Sequence, residues 1–134
     1  MKTIGVKLNK WQQPIMDQAI VDSLKFIKDK YNVDVSDLAT LKYSNTCRFA
    51  YYQHNKGIIR IDLKRTFVKL YSRKTLGEYE TQLDSLGYKI SWTCQLIHEF
   101  THLIQDIDNR CFSEVETTQN EIEYLGSIGI KVKY

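Results

Sequence analysis

The chain has 134 residues, enough for one compact domain that builds its own hydrophobic core without disulfide bonds. Its composition, 43% hydrophobic and 26% charged with a single proline, is typical of an ordinary globular protein and argues against a disordered or fibrous one. The net charge is only +3 and basic residues are interspersed with acidic ones, so no nucleic-acid partner is predicted.

The first half of the chain predicts a helix followed by a β-hairpin. Residues 11–31 place apolar side chains at helical spacing. Residues 48–53 and 58–63 are rich in aromatic and β-branched residues, and they flank a four-residue turn that ends in Gly57. Apolar and polar residues alternate in the second strand, which predicts one buried face and is compatible with a position at the edge of the sheet.

The segment after the hairpin leads into the helix that carries the most informative motif. Residues 76–86 indicate a short helix that ends at Gly87. Ser91 is the expected N-cap of the next helix, in which the apolar residues between Leu96 and Ile107 form one broad face.

The last part of the chain predicts one more helix and a short strand. The helix is expected over residues 113–125, before Gly126, and the strand over residues 130–134. The predicted fold is therefore a single α+β domain with a small antiparallel or mixed sheet.

Cysteine usage and hydropathy bear on the compartment. Cys47, Cys94 and Cys111 are odd in number and form no Cys-x-x-Cys pair, which is the pattern of reduced thiols. The sequence shows neither a secretory signal nor a stretch of membrane-span length. We therefore expect a cytoplasmic protein with no membrane partner.

The motif helix contains His98-Glu99-Phe100-Thr101-His102. Histidines four residues apart on a helix share one side, with Cβ atoms about 5 to 6 Å apart, so both imidazoles can bind one ion. Zinc accepts imidazole nitrogen, and a catalytic zinc takes three protein ligands and leaves one position open. The spacing therefore predicts a catalytic zinc site, to which this helix contributes His98 and His102.

Glu99 is the predicted general base. It follows the first histidine, about 100° further around the helix, where its carboxylate can reach a water on the ion without becoming a ligand. Zinc makes such a water acidic near neutral pH, and a carboxylate can pass its proton to a leaving amine. That is the chemistry of peptide hydrolysis.

The third ligand must be a residue other than histidine if it follows His102, because no histidine lies further along the chain. We favour Glu116, since it lies one turn before Asn120, whose amide could orient a histidine. Alternatively, Ser113 and Glu116 form a capping box and Glu116 never contacts metal. The other candidates are Glu114, Asp108, Cys111 and Glu121.

This motif, followed by Glu114-Val115-Glu116-Thr117-Thr118-Gln119-Asn120, resembles the gluzincin metallopeptidases, particularly minimal ImmA/IrrE-like forms. The resemblance covers roughly the last 40 residues. It implies His98, His102 and Glu116 as zinc ligands and Glu99 as base in a zincin-like fold. Thr101, Thr117 and Asn120 replace the family's usual glycine, alanine and aspartate, which leaves the substrate open.

The resemblance also implies how a protein or peptide substrate would bind. A substrate strand would lie antiparallel to residues 58–63, held by backbone hydrogen bonds. Tyr124 or His54 would stabilise the negative charge that develops on the scissile carbonyl. The alternative functions are a zinc-binding interaction module without hydrolytic activity and a structural domain in which the motif is accidental.

Overall fold

A computed structural model of the chain describes residues 1–45, 51–53, 56–64 and 85–130, and for residue 51 only the backbone. Among the described residues, one strand and one helix are followed by three strands and then by two helices. The described elements are β1 (Lys2–Gly5), α1 (Gln12–Tyr31), β2 (Thr40–Ser44), β3 (Tyr51–Gln53), β4 (Ile58–Asp62), α2 (Ser85–Ile107) and α3 (Glu114–Ser127). The fold is α+β, as predicted.

The four described strands form one mixed sheet in the order β1-β2-β4-β3. β1 runs parallel to β2 and β2 runs parallel to β4, whereas β3 and β4 form the predicted antiparallel hairpin. Neither β1 nor β2 is among the strands predicted from the sequence. β4 is an inner strand and not an edge, because it pairs with β2 on one side and with β3 on the other.

The backbone at Gly57 explains why the hairpin turn could be predicted from the sequence. Its φ is +62°, and a Cβ atom at this position would lie 2.7 Å from the backbone oxygen of Leu38. Only glycine fits both constraints. The carbonyl of Gly57 in turn accepts a hydrogen bond of 2.7 Å from the backbone N–H of Thr40, which joins the turn to β2.

The predicted first helix is confirmed as α1. The side chain of Asn9 accepts hydrogen bonds from the backbone N–H groups of Trp11 and Gln12, which satisfies donors that the first turn leaves free. The helix ends at Asn32, whose φ of 58° is left-handed, a conformation that asparagine tolerates better than most residues.

The motif helix, α2, begins earlier than predicted. Ser91 is not its N-cap, because the helix starts at Ser85 and Ser91 is buried inside it. Gly87 also lies within α2 and does not end a preceding helix. Trp92 is buried in the main core cluster and Ile90 in the smaller one, so packing on both sides of the helix stabilises this additional turn. Residues 76–84 of the predicted short helix lie outside the described residues.

α2 is the central element, and its two sides pack against different partners. One side contacts α1 and the sheet through Trp92, Leu96 and Phe100. The other side packs against α3 and forms a second, smaller core cluster that includes Tyr124 and Leu125. The position of α2 is therefore fixed from both sides.

α3 begins and ends close to the predicted positions. Its N-cap is Ser113, whose hydroxyl accepts a hydrogen bond of 3.3 Å from the backbone N–H of Glu116. Of the predicted final strand, only Ile130 is described, and it is not in a strand. None of the helices in the described ranges combines the length and apolarity needed to span a membrane.

Candidate metal centre

The two histidines of the motif lie side by side on the surface of α2 that faces the start of α3. Their ring centroids are 5.1 Å apart. The side chain of His102 is buried and that of His98 is 23% exposed. One helix therefore presents two imidazoles at a site that solvent reaches from the side of His98.

The carboxylate of Glu114, in the first turn of α3, lies against both histidines. Its Oε1 is 2.8 Å from Nε2 of His102, and its Oε2 is 3.1 Å from Nε2 of His98. Ligand atoms of these three residues all lie within 4.8 Å of one another, the only such group of three or more His, Cys, Asp or Glu residues in the described part of the chain.

This arrangement fits a zinc ion. Donors held tetrahedrally at 2.0 to 2.1 Å from one ion are separated by roughly 3.3 Å, close to the distances from Glu114 to the two imidazoles. Two nitrogens and one carboxylate are also a common ligand set for catalytic zinc. Because the Glu114 side chain is 71% exposed, a fourth position can be reached by solvent.

His98 is oriented by a carboxylate of α3. Its Nδ1 lies 3.3 Å from Oε2 of Glu121, a buried residue, so the opposite nitrogen, Nε2, points to Glu114. Burial lowers the pKa of His98, but the hydrogen bond with Glu121 and the negative charges of Glu121, Glu99 and Glu114 outweigh it and raise the pKa above its ordinary value. The three carboxylates around His98 therefore favour a positive charge at the site.

His102 is oriented by two further residues. Its Nδ1 lies 2.9 Å from Oε1 of Gln105, one turn further along α2. The ring of Phe112 stacks on the imidazole, with centroids 4.7 Å apart and planes inclined by 24°. Phe112 is 45% exposed, so it forms an apolar wall between His102 and solvent.

Glu99, the predicted base, lies beside the candidate ligands without being one of them. Its Oε1 is 3.9 Å from Nε2 of His98, and the residue is only 3% exposed. A carboxylate in this position is close enough to exchange a proton with a molecule held at the histidines.

The structure does not place Glu116, the preferred third ligand, at the histidines. Its carboxylate instead accepts hydrogen bonds from Tyr31 (2.6 Å), Gln105 (2.9 Å) and Arg110 (2.9 Å). Burial alone would raise the pKa of Glu116, but these donors and the charge of Arg110 lower it to about 2. The capping box is also incomplete, because the N–H of Ser113 donates to Gln105 instead.

The supporting role predicted for Asn120 is also wrong. Its amide donates to the hydroxyl oxygens of Tyr31 (2.7 Å) and Thr101 (2.9 Å), and within the described residues it forms no hydrogen bond with either histidine. Asn120 instead joins α1, α2 and α3 beneath the site. The histidines are oriented instead by Glu121 and Gln105, neither of which is predicted in that role from the sequence.

The remaining candidates lie away from the histidines or outside the described residues. Tyr124 is buried in the second core cluster, where its hydroxyl is hydrogen bonded to Thr93 and its ring meets Phe26 edge-on. Asp108 pairs with Arg110 at 3.5 Å, and Cys111 is an exposed free thiol. His54 lies outside the described residues.

Part of the substrate position predicted along residues 58–63 is already occupied by neighbouring strands. Residues 58–60 have a paired strand on each side, so a substrate strand has no free backbone edge there. β3, an edge of the described sheet, is joined to α2 by a hydrogen bond of 2.5 Å from the hydroxyl of Tyr52 to Asp106.

We compared the chain with protein-family models, with curated proteins and with solved structures, and none of them matches it.

Proposed function

We propose that the chain is a zinc-dependent metallopeptidase in which His98, His102 and Glu114 hold the ion and Glu99 acts as general base. One observation carries the proposal. The carboxylate of Glu114 faces Nε2 of both histidines at 2.8 and 3.1 Å, although it comes from a different helix. The resemblance to gluzincins supports the same function, with Glu114 in place of Glu116.

The geometry explains why a cation belongs between these residues. A neutral imidazole whose Nδ1 carries the hydrogen presents a lone pair at Nε2, and a carboxylate oxygen also presents lone pairs. Two such acceptors repel each other at 2.8 Å unless a proton or a metal ion lies between them. Nε2 of His98 and Nε2 of His102 face the same carboxylate, so one ion can bind all three groups.

Each residue of the site then has a defined chemical task. Zinc, when bound, lowers the pKa of a coordinated water from 15.7 to about 7 and polarises a carbonyl oxygen. Glu99, beside His98, accepts the proton of the attacking water and delivers it to the leaving amine. Glu121 keeps His98 in its ligating orientation, and Phe112 shields one side of the site from water.

Two measurements on the purified protein test the proposal. Metal analysis is expected to give one zinc per chain in the wild type and none in His98→Ala or His102→Ala. Glu99→Gln, which keeps the size of the side chain but cannot accept a proton, is expected to retain zinc and to lose at least about 100-fold in the hydrolysis of a mixed peptide library.

The outcomes separate the alternatives. Zinc binding without hydrolysis of any peptide by the wild type would favour a zinc-binding interaction module. Hydrolysis that survives in Glu99→Gln would overturn the assigned base. A wild type that takes up no zinc after incubation with the metal would favour an accidental motif.

A further inference from the structure

Gln105 is a fully buried side chain that connects the candidate ligand His102 with the start of α3. Its Oε1 lies 2.9 Å from Nδ1 of His102 and accepts a hydrogen bond of 3.1 Å from the backbone N–H of Ser113. Its Nε2 donates to the carbonyl oxygen of Ser113 (3.2 Å) and to the carboxylate of Glu116 (2.9 Å). Every polar atom of the amide is therefore engaged.

These partners leave only one orientation for the amide. The backbone N–H of Ser113 can only donate, so the atom that faces it must be the amide oxygen. The carbonyl of Ser113 and the carboxylate of Glu116 can only accept, so the atom that faces them must be the amide nitrogen. A flipped amide would place like groups against each other at all three contacts.

The orientation of Gln105 decides which nitrogen of His102 carries the hydrogen. Because Oε1 is an acceptor, Nδ1 of His102 must be the donor. The neutral ring then presents its lone pair at Nε2, the atom that faces Glu114 at 2.8 Å.

We infer that Gln105 is a positioning residue: it holds His102 in the Nδ1–H tautomer that metal binding requires, and it fixes the backbone of Ser113 immediately before Glu114. Two ligands on different helices are thereby positioned by one amide. The effect of the contact between Gln105 and His102 on zinc binding rests on the proposed function. The tautomer of His102 can be measured without metal.

Glu116 has a role in the same arrangement. It accepts hydrogen bonds from Gln105, Tyr31 and Arg110, so its carboxylate anchors the nitrogen end of the Gln105 amide. Phe112 holds the plane of the His102 ring by stacking, but an apolar ring cannot choose between the two nitrogens. The tautomer therefore reports on Gln105 and not on Phe112.

The test is ¹⁵N NMR of the histidine rings in metal-free protein that carries Glu114→Ala, at a pH where both imidazoles are neutral, so that no carboxylate competes for a hydrogen on Nε2 of His102. This parent protein is expected to show His102 with its hydrogen on Nδ1. Gln105→Met, which keeps the volume and removes the acceptor, is expected to shift His102 towards the Nε2–H tautomer. His98 is an internal reference, because its Nδ1 faces Glu121 and should not change.

Zinc affinity is the second measurement, by competition with a chromophoric chelator. Gln105→Met is expected to weaken zinc binding by about 10- to 100-fold. Gln95→Met is the matched control, because Gln95 is a buried glutamine of the same helix whose amide binds the backbone N–H and C=O of Asp62, both at 2.9 Å. This control should lose stability but retain the zinc affinity within about threefold and the His102 tautomer.

If Gln105→Met does not fold, the parent protein still decides the question, because a hydrogen on Nε2 of His102 would show that Gln105 does not set the tautomer. An unchanged tautomer in Gln105→Met, or an Nε2–H tautomer in the parent protein, would overturn the role of Gln105. Failure of the wild type to bind zinc would instead overturn the proposed function, and the NMR result would still decide the tautomer.

Discussion

Nε2 of His102 lies 2.8 Å from Oε1 of Glu114, a residue twelve positions further along the chain and on the next helix. This contact turns a local motif on α2 into a site with a carboxylate from a second element. The carboxylate lies in the first turn of α3, where the positive end of the helix dipole also stabilises its negative charge.

The third ligand can be tested by one isosteric change made at two positions. Glu114→Gln removes the negative charge of the carboxylate that faces both histidines, and we expect zinc affinity to fall by at least about 100-fold, beyond the range for loss of a supporting hydrogen bond. Glu116→Gln is expected to lower the affinity by less than about tenfold, since that carboxylate contacts Gln105 and not the ion site. Competition with a chelator measures both.

The free energy of unfolding should fall more in Glu116→Gln than in Glu114→Gln, the reverse of the order expected for zinc affinity. Glu116→Gln loses the charge-assisted hydrogen bond with Arg110, whereas the exposed Glu114 side chain contributes little to folding in the absence of metal. We expect Glu116→Gln to lower the free energy of unfolding by about 1 kcal/mol. A larger loss of zinc affinity in Glu116→Gln than in Glu114→Gln would return the third ligand to Glu116.

Zinc should stabilise the folded protein by mass action. At a free zinc concentration about 100 times the Kd, the free energy of unfolding is expected to rise by about 2.7 kcal/mol, and a chelator should reverse the rise. His102→Ala should show no such rise because it removes one of the two imidazoles. Urea unfolding with and without zinc measures the difference, and an equal rise in His102→Ala would place the ion elsewhere.

The sequence predicted the part of the site that one helix contains. The spacing of His98 and His102 determines that both lie on one side of α2. Glu99 lies close to them because it directly follows His98 on the same helix. The third ligand depends instead on how α3 is rotated about its axis. Glu114 and Glu116 differ by about 200° around that helix, so only the packing of α3 against α2 decides which carboxylate faces the histidines.

Several features of the fold could not be predicted because they depend on contacts between residues that are distant in the sequence. The sequence of β4 is compatible with an edge strand, yet β4 is an inner strand because β2 pairs with it from a distant part of the chain. Gly87 has the local pattern of a helix end, yet burial of Ile90 and Trp92 keeps it within α2. Gln105 could have been noticed from its position one turn after His102, but its partner Ser113 is known only from the structure.

Asn120 is predicted to support the fold and not the metal. Asn120→Ala removes hydrogen bonds to Tyr31 and Thr101 inside the protein, and buried polar groups that lose a partner destabilise it. We expect the free energy of unfolding to fall by about 2 to 3 kcal/mol, measured by urea unfolding. Zinc affinity of the folded variant should stay within about threefold of the wild type.

Gln119→Ala is the matched control for this prediction. Gln119 precedes Asn120 on α3 and is exposed, so its removal should change the free energy of unfolding by less than about 0.5 kcal/mol. A loss of zinc affinity in Asn120→Ala of tenfold or more, without a comparable change in Gln119→Ala, would restore a direct role for Asn120 at the histidines.

Tyr43 should make the stability fall in alkali. Burial, with a smaller contribution from the negative charge of Asp17, raises the pKa of Tyr43 to about 12, against about 10 in the unfolded chain. The unfolded state therefore loses its proton first, so the stabilisation is complete below about pH 10 and is lost as the pH rises towards 12. Between about pH 9 and about pH 11 the wild type is expected to lose about 1 kcal/mol more than Tyr43→Phe, which cannot ionise. Urea unfolding at each pH measures the difference, and parallel curves for the two proteins would contradict the burial of the hydroxyl.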